Sequence, residues 1–163
     1  MDKLKAHIKR EEFIEKTEVK YAGFWLRFLA YIIDYVIVYF IHILFWTLVL
    51  FGLIFTSSSI HLVVFFKSGF FSLLVFLSYM VLDWYYRSYF ESSYKQATFG
   101  KMVLGIKVTN LSEGRIGFGR ASARYFLSYI SALMFCVGFI MAAFTEKKQA
   151  FHDIASECLV IKK

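Results

Sequence analysis

Charged side chains are scarce in this chain, and several stand inside apolar stretches, where a charge is costly enough to need a reason. Arg27 and Asp34 are seven residues apart. On a helix they share a face and lie about 10 Å apart along its axis. Asp83 ends a second apolar stretch, on a helical face that also carries Ser72, Phe76 and Tyr79. Arg87 follows one turn later, and Arg124 opens a third apolar stretch. Arg27, Arg87 and Arg124 can be balanced by Asp34, Asp83 and Glu91, so pairing between helices is expected. The preferred reading is an electrostatic staple that fixes helix packing. The alternative is an ion or proton site built on Asp34 and Asp83.

Other candidates carry less. His42 falls in mid-segment among Phe and Ile, and a neutral, hydrogen-bonded imidazole is expected before a proton relay. His152-Asp153 has no further ligands or nucleophile placed beside it, so capping or loop fixing is expected. Gly100-Lys101 is not a phosphate loop: Lys95 stands where the first glycine belongs, and Met102 where Ser or Thr would hold magnesium. Cys136 and Cys158 form neither a disulfide framework nor a zinc spacing. No nucleophile, metal set or cofactor motif points to an enzyme, and no cofactor is expected.

The elements that position these residues are apolar helices. Apolar residues make up 59% of the 163 positions, aromatic residues 21%, and Phe alone occupies 20. A soluble domain of this size could not bury that surface, whereas a bilayer can accept it. The expected fold class is an all-α integral membrane protein with two spanning helices and a third apolar segment. A small cytoplasmic loop with short strands joins the second segment to the third. The segments fall at about 24–56, 62–86 and 124–145, within a membrane domain covering 21–163 that follows a cytoplasmic tail, 1–20. The run from Tyr35 to Phe55 has no charge apart from His42 and meets the roughly 20 residues a spanning helix needs. The second span needs Leu62–Phe66 and a snorkelling Lys67. In the loop, Thr98 is positioned to cap a helix through Leu104. Ile106–Thr109 alternates like a strand, Cys158–Ile161 is strand-like, and Glu113-Gly114 reads as a turn.

The net charge of +7 is explained by topology rather than by nucleic acid. Lys67 is the only Lys or Arg between the first two segments. The N-terminus and the loop around Gly100 are therefore expected on the cytoplasmic side of the inner membrane, and Ile60 outside. The length of Tyr125–Thr145 favours a third crossing. Lys147, Lys148, Lys162 and Lys163 favour a return, with Gly138 as the break and the tail cytoplasmic. Two or three segments cannot enclose a pore, so the expected partners are the lipid bilayer and either further copies or other membrane proteins.

Four stretches give the chain a resemblance to a family. Ala22–Phe28 with Asp34 resembles the opening motif of the RDD family of small, mainly bacterial membrane proteins, named for one arginine and two aspartates. Asp83 matches the second aspartate. Gln96-Ala97-Thr98-Phe99-Gly100-Lys101, followed by Leu104–Val108, is similar to the loop written Q-T-P-G-K. Lys147–Asp153 with Ala155 resembles the C-terminal motif. Phe99 stands at the family's proline, and Ser156-Glu157 at its Gly-Thr. The resemblance implies a membrane protein, and transport has been suggested as a role for the family.

Overall fold

The computed structural model describes residues 19–56, 69–133 and 137–163. The expected tail before Val19, the Ser57–Lys67 connection and Cys136 lie outside them.

Two helices dominate. α1 covers Phe24–Thr56 and α2 covers Gly69–Ser92. Both are long and apolar enough to cross a membrane, and little of either is covered by the rest of the protein. At 1.5 Å per residue α1 is about 50 Å long, against a hydrocarbon core of about 30 Å. α1 is thus longer than that core is thick. α2 runs past the end of the second segment expected at about residue 86, and its last turns carry the buried Ser88 and Glu91 into the folded end of the molecule.

That end is assembled from the chain beyond α2. A short helix, α3 (Phe99–Val103), leads into β1 (Ile106–Asn110). The expected turn forms after it. Asn110 accepts from the Gly114 amide through Oδ1 at 2.7 Å, and Glu113 adopts a positive φ of 61°. α4 (Phe118–Leu133) then packs on α2.

The third apolar segment is not one continuous helix. After α4, a short helix α5 (Val137–Ile140) and a single 3-10 turn run back along it to α6 (Phe151–Ala155). β2 (Cys158–Lys162) comes next and pairs antiparallel with β1, with Val108 opposite Val160. The chain before α1 joins the other edge of β2, where the Ala22 amide donates to the Val160 carbonyl at 2.9 Å. The start of α1, the end of α2 and the C-terminal strand thus share one end of the molecule. This is the hairpin return, not a third crossing. Gly138, expected as its break, sits inside α5, where a Cβ would come within 2.7 Å of the Ser131 Cβ. Its role is close approach of the two arms.

The compact core belongs to this end. Ala22, Ala30, Ile106, Val108, Ile116, Ala121, Cys158 and Val160 pack together with Leu104 against them.

Candidate functional site

Among the described residues, eight Arg, Lys, Asp and Glu side chains are gathered where α1, α2, α3, α4 and α6 meet. Arg27, Arg87, Lys101 and Arg124 balance Asp34, Asp83, Glu91 and Asp153, all well shielded from solvent. They form three arrangements.

The largest is a chain of ion pairs. Asp153 is its hub: Oδ1 accepts from Arg124 Nε at 2.8 Å, and Oδ2 pairs with Arg27 Nη1. Arg124 continues through Nη1 to Glu91 Oε2 at 2.5 Å, and the other oxygen of Glu91 takes Lys101. Arg27 is braced by Nε donating to the Ala22 carbonyl at 2.9 Å. Asp153 also accepts the Ala150 amide at 3.1 Å and so closes the first turn of α6. Burial opposes ionisation of Asp153, but the guanidiniums of Arg124 and Arg27 overcome it and hold the carboxyl well below the usual carboxylate range. Burial pulls the Lys101 ammonium below its ordinary range, against the attraction of Glu91.

The second arrangement is local. Arg87 Nε donates to Asp83 Oδ1 at 2.8 Å, one helical turn away, and the Tyr125 hydroxyl donates to Oδ2 at 3.1 Å. The Arg87 guanidinium lies 4.6 Å from the centroid of the Tyr31 ring.

The third has no cation in direct contact among the described residues. Asp34 is fully buried and is held by neutral donors. The Tyr86 hydroxyl donates to Oδ1 at 2.9 Å, the Gly100 amide to the same oxygen at 2.7 Å, and the Thr98 hydroxyl to Oδ2 at 2.5 Å. The start of α3 is therefore capped by a carboxylate from α1. Thr98 stands at the cap position, but its hydroxyl serves Asp34. Gly100 is required, since a Cβ there would fall on the Ala30 carbonyl oxygen and lie 3.0 Å from Asp34 Cγ.

The structure brings together all the expected cluster residues, Arg27, Asp34, Asp83, Arg87 and Arg124, at one end of the helix pair. The expected partners change. Arg27 pairs with Asp153 and not with Asp34 or Asp83, because α6 returns to the cluster and places a carboxylate nearer. Lys101 joins the cluster as an ionic member. Asp153 does more than cap a loop. The sequence carried one signal for this: Arg27 and Arg124 had no carboxylate in their own segments at pairing distance.

His152 lies beside the hub, its Nε2 3.4 Å from Asp153 Oδ1 and its Nδ1 3.5 Å from Ser131 Oγ. Burial pushes it down to about 4, only partly offset by Asp153, so the ring is neutral near pH 7. These distances are too long for a working relay. Ser131 donates to the Leu127 carbonyl at 3.2 Å and Asp153 is committed to two arginines, so the trio closes the hairpin. His42 is farther along α1, with Nε2 3.0 Å from Ser78 Oγ and 3.0 Å from Trp46 Nε1. Among the described residues no group of three His, Cys, Asp or Glu side chains could hold a metal ion.

The model of the RDD family matches residues 21–157. A Bacillus subtilis (strain 168) protein named "Uncharacterized protein YxaI" is 36% identical over 152 residues, covering 88% of this chain and 99% of its own length. A second from the same organism, "Uncharacterized membrane protein YteJ", is 27% identical over 157 residues, covering 94% and 88%. No solved structure gives a significant match.

Proposed function

The chain belongs to the RDD family, and from that premise we propose that it is a multi-pass membrane module that assembles with further copies or with other membrane proteins, its charged cluster serving to lock helix packing. The observation that carries this reading is the occupation of the carboxylates. Asp34, Asp83, Glu91 and Asp153 each accept from at least two protein donors. A set of carboxylates satisfied in this way stabilises one arrangement of helices and leaves little room for a passing ion. Two long helices cannot enclose a pathway, and packing between membrane proteins is the use left to their bare faces.

The proposed orientation places the folded end in the cytoplasm and the module in the inner membrane. The distribution of Lys and Arg supports it, since Lys67 alone falls between the two long helices. A cysteine at Ser112 should resist an impermeant thiol reagent on intact cells, and one at Ser58 should react. The assembly reading is tested by cross-linking in native membranes, followed by mass measurement in mild detergent. A chain that stays single and captures no membrane protein under both conditions would reject it.

A second reading, a cation- or proton-coupled transporter acting as an oligomer, is favoured by one feature. Asp34 has no direct ionic partner among the described residues and is held by the neutral donors of Tyr86, Thr98 and Gly100. Sodium or proton flux in liposomes that disappears in Asp34→Asn and Asp83→Asn, with both variants folded, would select this reading over the first.

A further inference from the structure

We propose that α3 and the residues leading into it form an in-plane contact with the bilayer. Tyr94, Phe99 and Val103 would lie in the cytoplasmic interfacial layer, at the boundary between lipid headgroups and acyl chains.

The inner face of α3 is fixed to both long helices. Gly100 packs on Ala30 and donates to Asp34 of α1, the Phe99 amide donates to the Tyr86 hydroxyl of α2 at 3.1 Å, and Lys101 pairs with Glu91 of α2. The depth of α3 is therefore set by these helices. Gly100 stands at the level of Ala30, five residues before Tyr35, where the long uncharged run of α1 begins. Five residues of helix are about 8 Å, which falls in the interfacial layer that amphipathic helices occupy.

The opposite face of α3 is apolar and open. Phe99 and Val103 are one turn apart, and they are 48% and 70% exposed, while Tyr94 just before the helix is 80% exposed. The Phe90 and Phe99 rings meet edge to face at 5.6 Å, which joins this face to the aromatic surface of α2. Trp25 and Phe28 are also exposed in the first turns of α1. Aromatic side chains at this depth suit the membrane–water boundary, with Lys95, exposed beside Tyr94, complementing lipid phosphates. An apolar strip of this kind left in water would be an aggregation hazard.

The test is site-specific photocross-linking. A benzophenone amino acid replaces Val103 in the full chain, reconstituted in nanodiscs of phosphatidylcholine and phosphatidylglycerol, with adducts identified by mass spectrometry. The same group at Phe40, exposed on the spanning part of α1, reports embedding itself. At Ser112, exposed on the β1 turn, it reports background. Position 103 should give about tenfold more lipid adduct than position 112, as interfacial burial requires. Lipid adducts at 40 with none above background at 103 would overturn the proposal while leaving the membrane assignment intact. Adducts at 103 to a second copy of the chain would also overturn it, in favour of a protein interface. Loss of adducts at 40 as well would reject the embedding on which it rests.

Discussion

The two ends of the α1–α2 pair are held together by different physics. At the folded end, α1 meets α2 through Asp34–Tyr86, through α3, which packs on α1 and pairs with α2, and through the ion pairs that run from α1 by way of α6 and α4 to α2. Beside the small apolar core, hydrogen bonds and ion pairs link side chains far apart in sequence there, such as Arg27–Asp153 and Thr98–Asp34. At the other end the pair displays Phe40, Leu44 and Leu48 outward, and its polar contacts include the set His42, Trp46 and Ser78. Apolar contact with lipid tails has no preferred partner, because the tails are as apolar as leucine. Directional bonds do have one. The folded end can therefore specify a unique arrangement, and the outer end leaves its partner open. Substitutions should separate the two ends by an order of magnitude in cost.

The largest effect is expected at the hub. Asp153→Asn leaves Arg27 buried with a neutral partner and Arg124 with Glu91 alone, and breaking such a network costs about 3–5 kcal/mol. Thermal unfolding in detergent should shift far downward. Arg27→Gln and Asp153→Asn should be strongly coupled in a double-mutant cycle, while Arg27→Gln and Asp34→Asn should be closer to additive. Strong coupling of Arg27 to Asp34 instead would mean that α6 does not bring Asp153 to Arg27 in the membrane.

Acid should loosen the same end. His152 titrates near 6.5 when unfolded and is pushed down to about 4 by burial. Between those values the unfolded chain binds more protons, so stability rises with pH and falls on acidification from about 6.5 to about 4. The full loss is about 3 kcal/mol. His152→Gln should flatten this part of the profile. An unchanged slope in the variant would remove His152 as its source.

The next effect belongs to the α1–α3 contact. Gly100→Ala forces a methyl group onto the Ala30 carbonyl oxygen, which is backbone and cannot swing aside. Overpacking of this kind costs about 1–3 kcal/mol. Gly105→Ala is the useful contrast: nothing lies within 4 Å of its added Cβ, but its φ of 64° carries a strain of its own. Equal, small losses at both positions would show that α3 is not seated on α1.

Much of this end was legible in the sequence, and the rest was hidden by distance along the chain. The residues of the cluster could be singled out because a charge within an apolar stretch is costly wherever it pairs. Strand β1 could be recognised by alternation and β2 by its short apolar run, and the return of the tail was favoured by Lys147, Lys148, Lys162 and Lys163. The partners could not be assigned. Arg27 and Asp153 are 126 positions apart, and helical spacing speaks only for residues on one helix. The same limit applied to Thr98, whose type suits a local cap. Its hydroxyl turns to Asp34, 64 positions away, because the carboxylate already serves the cap from outside. The length of the third segment was misleading for a related reason: apolar length alone does not distinguish a crossing from two short arms packed on each other.

The smallest effect is expected at the outer end, and it sharpens the comparison most. Trp46 donates there to both long helices, through contacts of 3.0 Å to His42 Nε2 on α1 and 3.1 Å to Ser78 Oγ on α2. Trp46→Phe removes the donor and keeps an aromatic ring against Phe71, whose centroid lies 5.3 Å away. Ser78 still donates to the Val75 carbonyl at 2.8 Å and remains 3.0 Å from His42, so neither group is stranded. Interhelical hydrogen bonds in bilayers average about 0.6 kcal/mol, since the separated helices find other partners. The variant should therefore unfold within a degree or two of the parent in detergent, far above Asp153→Asn. If Trp46→Phe instead costs as much as the hub substitution, the outer end is a second specifying site. His42, Trp46 and Ser78 would then hold the helix pair as firmly as the charges do. If Trp46→Phe leaves stability unchanged and also weakens cross-linking to a membrane partner, the outer end is the surface by which the module is recognised.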